Sequence, residues 1–177
     1  MAVKNAETEY LLPVPYPRPC GLQHPPTPQT VYRLRRAAAG PEGVLTMLCR
    51  SLQRAAACRM RGEEGLAALM EAGAQTALRH LELLTRMLLC CGAGTGFFVP
   101  QGGHKIWWSA ARLPECRKAE ISTELLLRET LAYSAACRAL AEALPPALAP
   151  CAERMLADWE HHAALLREEL LRGVSPV

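Results

Sequence analysis

Apolar residues recur at steps of three and four between Gly65 and Cys91. Leu66, Leu69, Met70, Gly73, Ala77, His80, Leu81, Leu84, Met87, Leu88 and Cys91 fall on one stripe. Glu71, Arg79, Glu82 and Arg86 lie mostly off it. This pattern predicts an amphipathic helix over 65–91, about 38 Å long, with His80 inside its buried face. Val44, Leu48, Ser51, Leu52, Ala55 and Cys58 form a shorter stripe that predicts a helix over about 41–61, opening at Pro41. Leu125, Leu126, Glu129, Ala132, Tyr133, Ala136 and Leu140 predict a third over 121–143, capped by Ser122 or Thr123. Leu148, Cys151, Met155, Trp159, His162, Ala163, Leu166 and Leu170 predict a fourth over 147–172, ended by Gly173.

The connections decide how these rods pack. The link around 62–65 is short, as is the Leu144-Pro145-Pro146 stop, and each makes its flanking helices antiparallel neighbours. Between the second and third helices, residues 92–118 hold both phenylalanines and two of the three tryptophans with no sustained helical period. A structureless run that long inside a compact domain is uncommon, and in a bundle its natural role is a crossover from one end to the other. Residues 1–28 read as an arm: LLPVPYPRP and HPPTP carry too many prolines for a helix and favour extended backbone. Thr27 or Thr30 caps a short helix through about Ala39, before the Gly40-Pro41-Glu42-Gly43 break. The expected domain is therefore all-α, a four-helix bundle over 29–173 with one long crossover and a proline-rich arm.

Composition agrees with packed helices. Half of the 177 residues are hydrophobic but only 5% are aromatic, and Leu and Ala dominate. The net charge of +3 comes from 20 basic and 17 acidic residues scattered along the chain, so no basic face for nucleic acid is expected. No run of about 18 apolar residues spans a membrane, and Met1–Asn5 is not followed by the apolar core of a secretory signal. A cytoplasmic location is the expectation. Eight cysteines, Cys20, Cys49, Cys58, Cys90, Cys91, Cys116, Cys137 and Cys151, make no CxxC pair with zinc-ligand spacing and read as small apolar fillers of helices. Surface beyond what one bundle hides, in the arm and at Phe97, Phe98, Trp107 and Trp108, points to self-association.

Five stretches, AGPEGVLTMLCRSLQ, ALRHLELL, PQGGHKIWWS, LLLRETLAYSAACRAL and DWEHHAALLREEL, resemble successive landmarks of the ferritin-like proteins of spore-forming Firmicutes, kin to rubrerythrin and the spore-coat manganese-catalase-like proteins. The likeness runs over roughly residues 10–170. It implies a ferritin-like bundle, a homo-oligomer, and a cytoplasmic or spore assembly with a protein partner. It also implies a pair of iron or manganese ions held by a glutamate on the first helix, Glu-x-x-His on the second, a glutamate on the third and Glu-x-x-His on the fourth.

Carried over by position, His80, Glu129 and His162 keep the ligand types, whereas the three other glutamates fall at Val44, Ala77 and Trp159. Two bridged hard cations need those carboxylates, so peroxidase, catalase or ferroxidase turnover is not expected. Asp158 and His161 give an Asp-x-x-His, but both lie about 100° around the helix from the stripe of His162. His80 or His162 could pair with Glu129 as a buried hydrogen-bonded set. Alternatively His80, Glu129 and His162 form a two-histidine, one-carboxylate site for one Fe, Mn or Zn ion, the basis of a metal-dependent oxidoreductase. His104 is expected to face solvent, and His24 in the arm carries no pattern. The expected protein is a ferritin-like scaffold or assembly protein without a metal cofactor.

Overall fold

The helical body opens at Thr27, whose hydroxyl accepts from Thr30 N at 3.1 Å, with proline in the first turn where its missing N–H costs nothing. In the computed structural model, which describes residues 10–19, 22, 25–113 and 122–174, five α-helices follow in order. They are α1 (Pro28–Ala39), α2 (Val44–Arg59), α3 (Glu64–Cys90), α4 (Thr123–Ala143) and α5 (Ala149–Val174). Cys20, His24 and Cys116 lie outside the described residues.

The break between α1 and α2 is tighter than the sequence reading expects. Gly43 N donates to Gly40 O at 2.9 Å, and a Cβ at Gly40 would sit 2.4 Å from the carbonyl oxygen of Arg36. Only glycine permits that approach. Pro41 therefore belongs to a turn, not to a helix, and α2 starts three residues later with Gly43 as its cap.

Gly62, at φ 78°, turns the chain between α2 and α3. Gly92, at φ 66°, ends α3 in the left-handed conformation while Ala93 N donates back to Leu88 O. Ser122 caps α4 by accepting from Leu125 N at 3.2 Å. The two long helix pairs, α2 with α3 and α4 with α5, pack as the short links require.

Two apolar clusters fix the direction of each rod. One gathers Val44 and Met47 from the start of α2, Leu84 and Met87 from the end of α3, Leu140 from the end of α4 and Leu148 from just before α5. The other gathers Cys58 from the end of α2, Leu66 from the start of α3, Leu126 from the start of α4 and Leu166 from α5. Thus α3 ends and α4 begins at opposite ends of the molecule.

The crossover is not structureless. Phe98–Gln101 (β1) and His104–Trp107 (β2) form an antiparallel hairpin, with Gln101 opposite His104. Its two-residue loop is Gly102-Gly103, both at positive φ, 56° and 81°, the geometry that matches the twist of a tight hairpin. The hairpin is tied down by Arg35, which donates to Gly94 O and Gly96 O at 2.8 Å each and lies 3.9 Å from the centroid of Phe98. Trp108 Nε1 donates to Thr46 at 3.1 Å. His104 is exposed on β2.

Candidate functional site

His80 lies on the buried face of α3, as its place in the apolar stripe predicts, and is fully buried. Trp159 of α5 donates its indole N–H to His80 Nδ1 at 3.0 Å. An indole nitrogen can only donate, so Nδ1 is the acceptor and the ring proton sits on Nε2. That proton points to Asp158 Oδ2, 2.9 Å away. One tautomer is fixed from both sides, and a second proton on Nδ1 would face another N–H. Burial drives the imidazole pKa below its ordinary value, outweighing the attraction of Asp158.

The carboxylate of Asp158 is the hub of this network. Its Oδ2 also accepts from the hydroxyl of Tyr16 at 2.6 Å, and its Oδ1 pairs with Arg154 at 2.9 Å. Arg154 lies one turn before Asp158, with its guanidinium 4.7 Å from the Tyr16 ring centroid, and donates to Leu12 O at 3.3 Å. The proline-rich arm is thereby docked across α5. Burial, then the hydrogen bond and charge of Asp158, push the Tyr16 phenol well up. Nearby Cys137 is also pushed up, to about 12, chiefly by burial, which leaves it a packing thiol and no nucleophile.

The structure divides the three sequence-predicted metal ligands. His80 and His162 both pack edge-on to Trp159, with ring centroids at 5.9 and 5.6 Å. His162 rests on the backbone of α3, where a Cβ at Gly73 would come within 3.1 Å of Nε2. Burial, then the charge of His161, lower its pKa to about 4. Glu129 does not join them: on α4 it forms an ion pair with Arg54 of α2. Neither histidine makes the pairing with Glu129 that the sequence offered, since His80 takes Asp158 instead. Among the described residues no three His, Cys, Asp or Glu side chains converge as a metal-ion set.

Val44, Ala77 and Trp159, the positions where the resemblance puts lost glutamates, are fully buried in one apolar cluster. Trp159 is the largest wholly buried side chain of the described residues and stacks edge-on to Tyr133 at 5.0 Å. The residues present do not fit a dinuclear centre. Three carboxylate positions are apolar, Glu129 is held by Arg54, and both nitrogens of His80 are engaged.

Tyr16 and Arg154, which no pattern in the sequence singles out, join Asp158 in this buried network. Placing Asp158 off the buried stripe is corrected here: α5 buries a second strip because the arm covers it, so Arg154 and Asp158 are buried alongside Trp159 and His162. The one available signal was the spacing of Arg154, Asp158 and His162, each four residues after the last. Comparison with protein-family models, with curated proteins and with solved structures returned no match. Among the described residues no helix is long and apolar enough to cross a membrane.

Proposed function

We propose that this chain is a non-catalytic assembly protein built on a ferritin-like body, in which Trp159 takes the space of a dinuclear metal centre. The observation that supports this most is the hydrogen bond from Trp159 Nε1 to His80 Nδ1. It both fills the centre and engages the one lone pair through which His80 would bind a cation. The groups around His80 are arranged as a fixed brace between α3, α5 and the arm.

Assembly is supported by the surface of the crossover. Phe97 and Ile106 are partly exposed and Trp107 is 59% exposed on the hairpin. An exposed aromatic edge on a tethered two-stranded hairpin suits an isologous contact with a second copy. Such a homo-oligomer would work in a cytoplasmic or spore structure, in contact with a protein partner.

The deciding experiment pairs metal analysis with sedimentation. Protein expressed with iron, manganese and zinc supplied should carry well under one metal per chain and sediment as an oligomer. Trp107→Ser should shift it towards monomer. Two metals per chain would restore the redox reading, and one metal lost on His162→Gln would restore the mononuclear site of His80, Glu129 and His162. A monomer at all micromolar concentrations would defeat the assembly reading.

A further inference from the structure

A cleft of about 550 Å³ opens between α1, α2 and α4, inside the roughly 300–1,000 Å³ range of small-molecule sites. Its origin lies in the sequence of α4. Ala132, Ala136, Ala139 and Ala143 recur at steps of four, three and four on one face, and their methyl groups are too short to close the space to α1 and α2. Met47, Tyr133, Cys137, Leu140 and Met155 line it as an apolar floor. The floor belongs to the bundle core, where Tyr133 also packs against Trp159.

The rim carries the opposite chemistry. Arg33, Arg36 and Arg50 line the same cleft. Glu42 and Glu129 also line it, but their charges are engaged, Glu42 with Arg50 at 3.3 Å and Glu129 with Arg54. Among the described residues Arg33 and Arg36 have no carboxylate partner. Arg33 gives one N–H to the carbonyl oxygen of Ala143 at 2.8 Å, with its other donors left over. The Nε of Arg50 is buried without a hydrogen-bond partner, a donor in want of an acceptor. An apolar trough ending in guanidinium groups with donors to spare is complementary to one kind of molecule.

We infer that the cleft between α1, α2 and α4 binds an anionic amphiphile, its alkyl body on the alanine face of α4 and its carboxylate or phosphate head at Arg33 and Arg36. The alkyl body removes apolar surface of both partners from water. The head gains charge-assisted hydrogen bonds, of which arginine supplies two in parallel. Neutral amphiphiles would keep only the first contribution.

The test uses the full-length protein and a dansyl-labelled fatty acid whose emission rises in an apolar site. Dodecanoate should displace it, and dodecanol at least about tenfold less well, the loss of one charge-assisted contact. Dodecyl phosphate reports which head is preferred: displacement equal to dodecanoate or weaker than it both keep an anionic-head site and assign its source. Ala136→Phe, at an exposed position, should fill the trough and abolish probe binding with an unchanged thermal melt. Arg36→Glu, also exposed, should weaken dodecanoate at least about tenfold and leave dodecanol unaffected. Absence of probe binding, equal displacement by the alcohol, or undiminished affinity in Ala136→Phe would each overturn the inference. None of these outcomes bears on metal content, so this site and the assembly reading fail separately.

Discussion

Asp158 Oδ2 stands 2.9 Å from His80 Nε2, joining the middle of α3 to α5 through a carboxylate and an imidazole that are both buried. The charge that balances this carboxylate is Arg154, one turn away on the same helix and equally buried. Removing one member of such a pair leaves the other as an uncompensated charge in low dielectric. Asp158→Ala should therefore cost about 3–5 kcal/mol of unfolding free energy, measured by chemical denaturation. The double variant Asp158→Ala, Arg154→Met should recover part of that loss. A single variant within about 0.5 kcal/mol of wild type would mean that the pair is solvated.

Tyr16 tests whether the arm is held by this hub. Tyr16→Phe keeps the ring beneath Arg154 and deletes only the hydroxyl that donates to Asp158. A hydrogen bond to a charged acceptor contributes about 1.5–3 kcal/mol. The expected loss is near the lower end because Arg154 and His80 still satisfy the carboxylate. Hydrogen exchange should locate the effect, with faster exchange of amides in residues 10–19 and little change in α3. Unaltered protection of the arm would show that its proline-rich backbone is positioned without Tyr16.

These two residues also mark where the sequence stopped being legible. Periodicity located the four long helices within two or three residues at their ends, because each buries one stripe and the stripe is written at steps of three and four. It also made Trp159 and His80 buried, as both are. It could not show that α5 is covered on a second strip, since the cover is an arm without periodicity. Phase alone therefore sets Asp158 about 100° from the buried stripe, although the arm buries it. Helical periodicity is blind to the hairpin over Phe98–Trp107, whose turn signal is Gly102-Gly103 between two short runs. Glu129 was matched to histidines because the resemblance supplied the expectation, while Arg54, its actual partner on α2, belonged to no motif.

Trp159 is the residue on which packing at the centre depends most. Trp159→Ala should cost about 3–5 kcal/mol through lost burial and the cavity left behind, and it also removes the donor to His80 Nδ1. Trp159→Phe separates the two effects. It keeps most of the volume and loses the N–H, and should fall between wild type and the alanine variant. Equal costs for both would locate the whole contribution in the hydrogen bond. A harmless alanine variant would contradict the buried position of the indole.

Gly73 sets two magnitudes against each other. Alanine in place of a mid-helix glycine gains about 1 kcal/mol of helix propensity. The added Cβ, however, would lie 3.1 Å from His162 Nε2 and 3.2 Å from Cε1. The histidine is enclosed by Trp159 and cannot withdraw freely, and overpacking a filled interior costs about 1–3 kcal/mol. The clash should win, so Gly73→Ala is expected to be destabilising in thermal unfolding. His162→Ala combined with it should convert the same substitution into a stabilising one, which a double-mutant cycle reads directly.

The pH dependence of stability follows from the same histidine. Unfolded, His162 titrates near its ordinary value of 6.5, whereas in the folded protein burial and His161 hold it at about 4. Between those values the unfolded chain binds more protons than the folded one, so unfolding free energy rises with pH across the window. The contribution is fully present above pH 6.5 and is lost as pH falls from there towards 4. The full depth, two and a half pH units, is about 3 kcal/mol for a group so deeply buried. His80 adds in the same direction, because burial lowers its pKa as well. His162→Gln removes one titrating group while staying neutral and polar, and its unfolding free energy should vary less steeply between pH 6.5 and 4 than that of wild type. Denaturant titrations at half-unit pH steps give both slopes. Parallel slopes for the two proteins would mean that His162 protonates in place, with water reaching a ring that the structure encloses between Trp159 and Gly73.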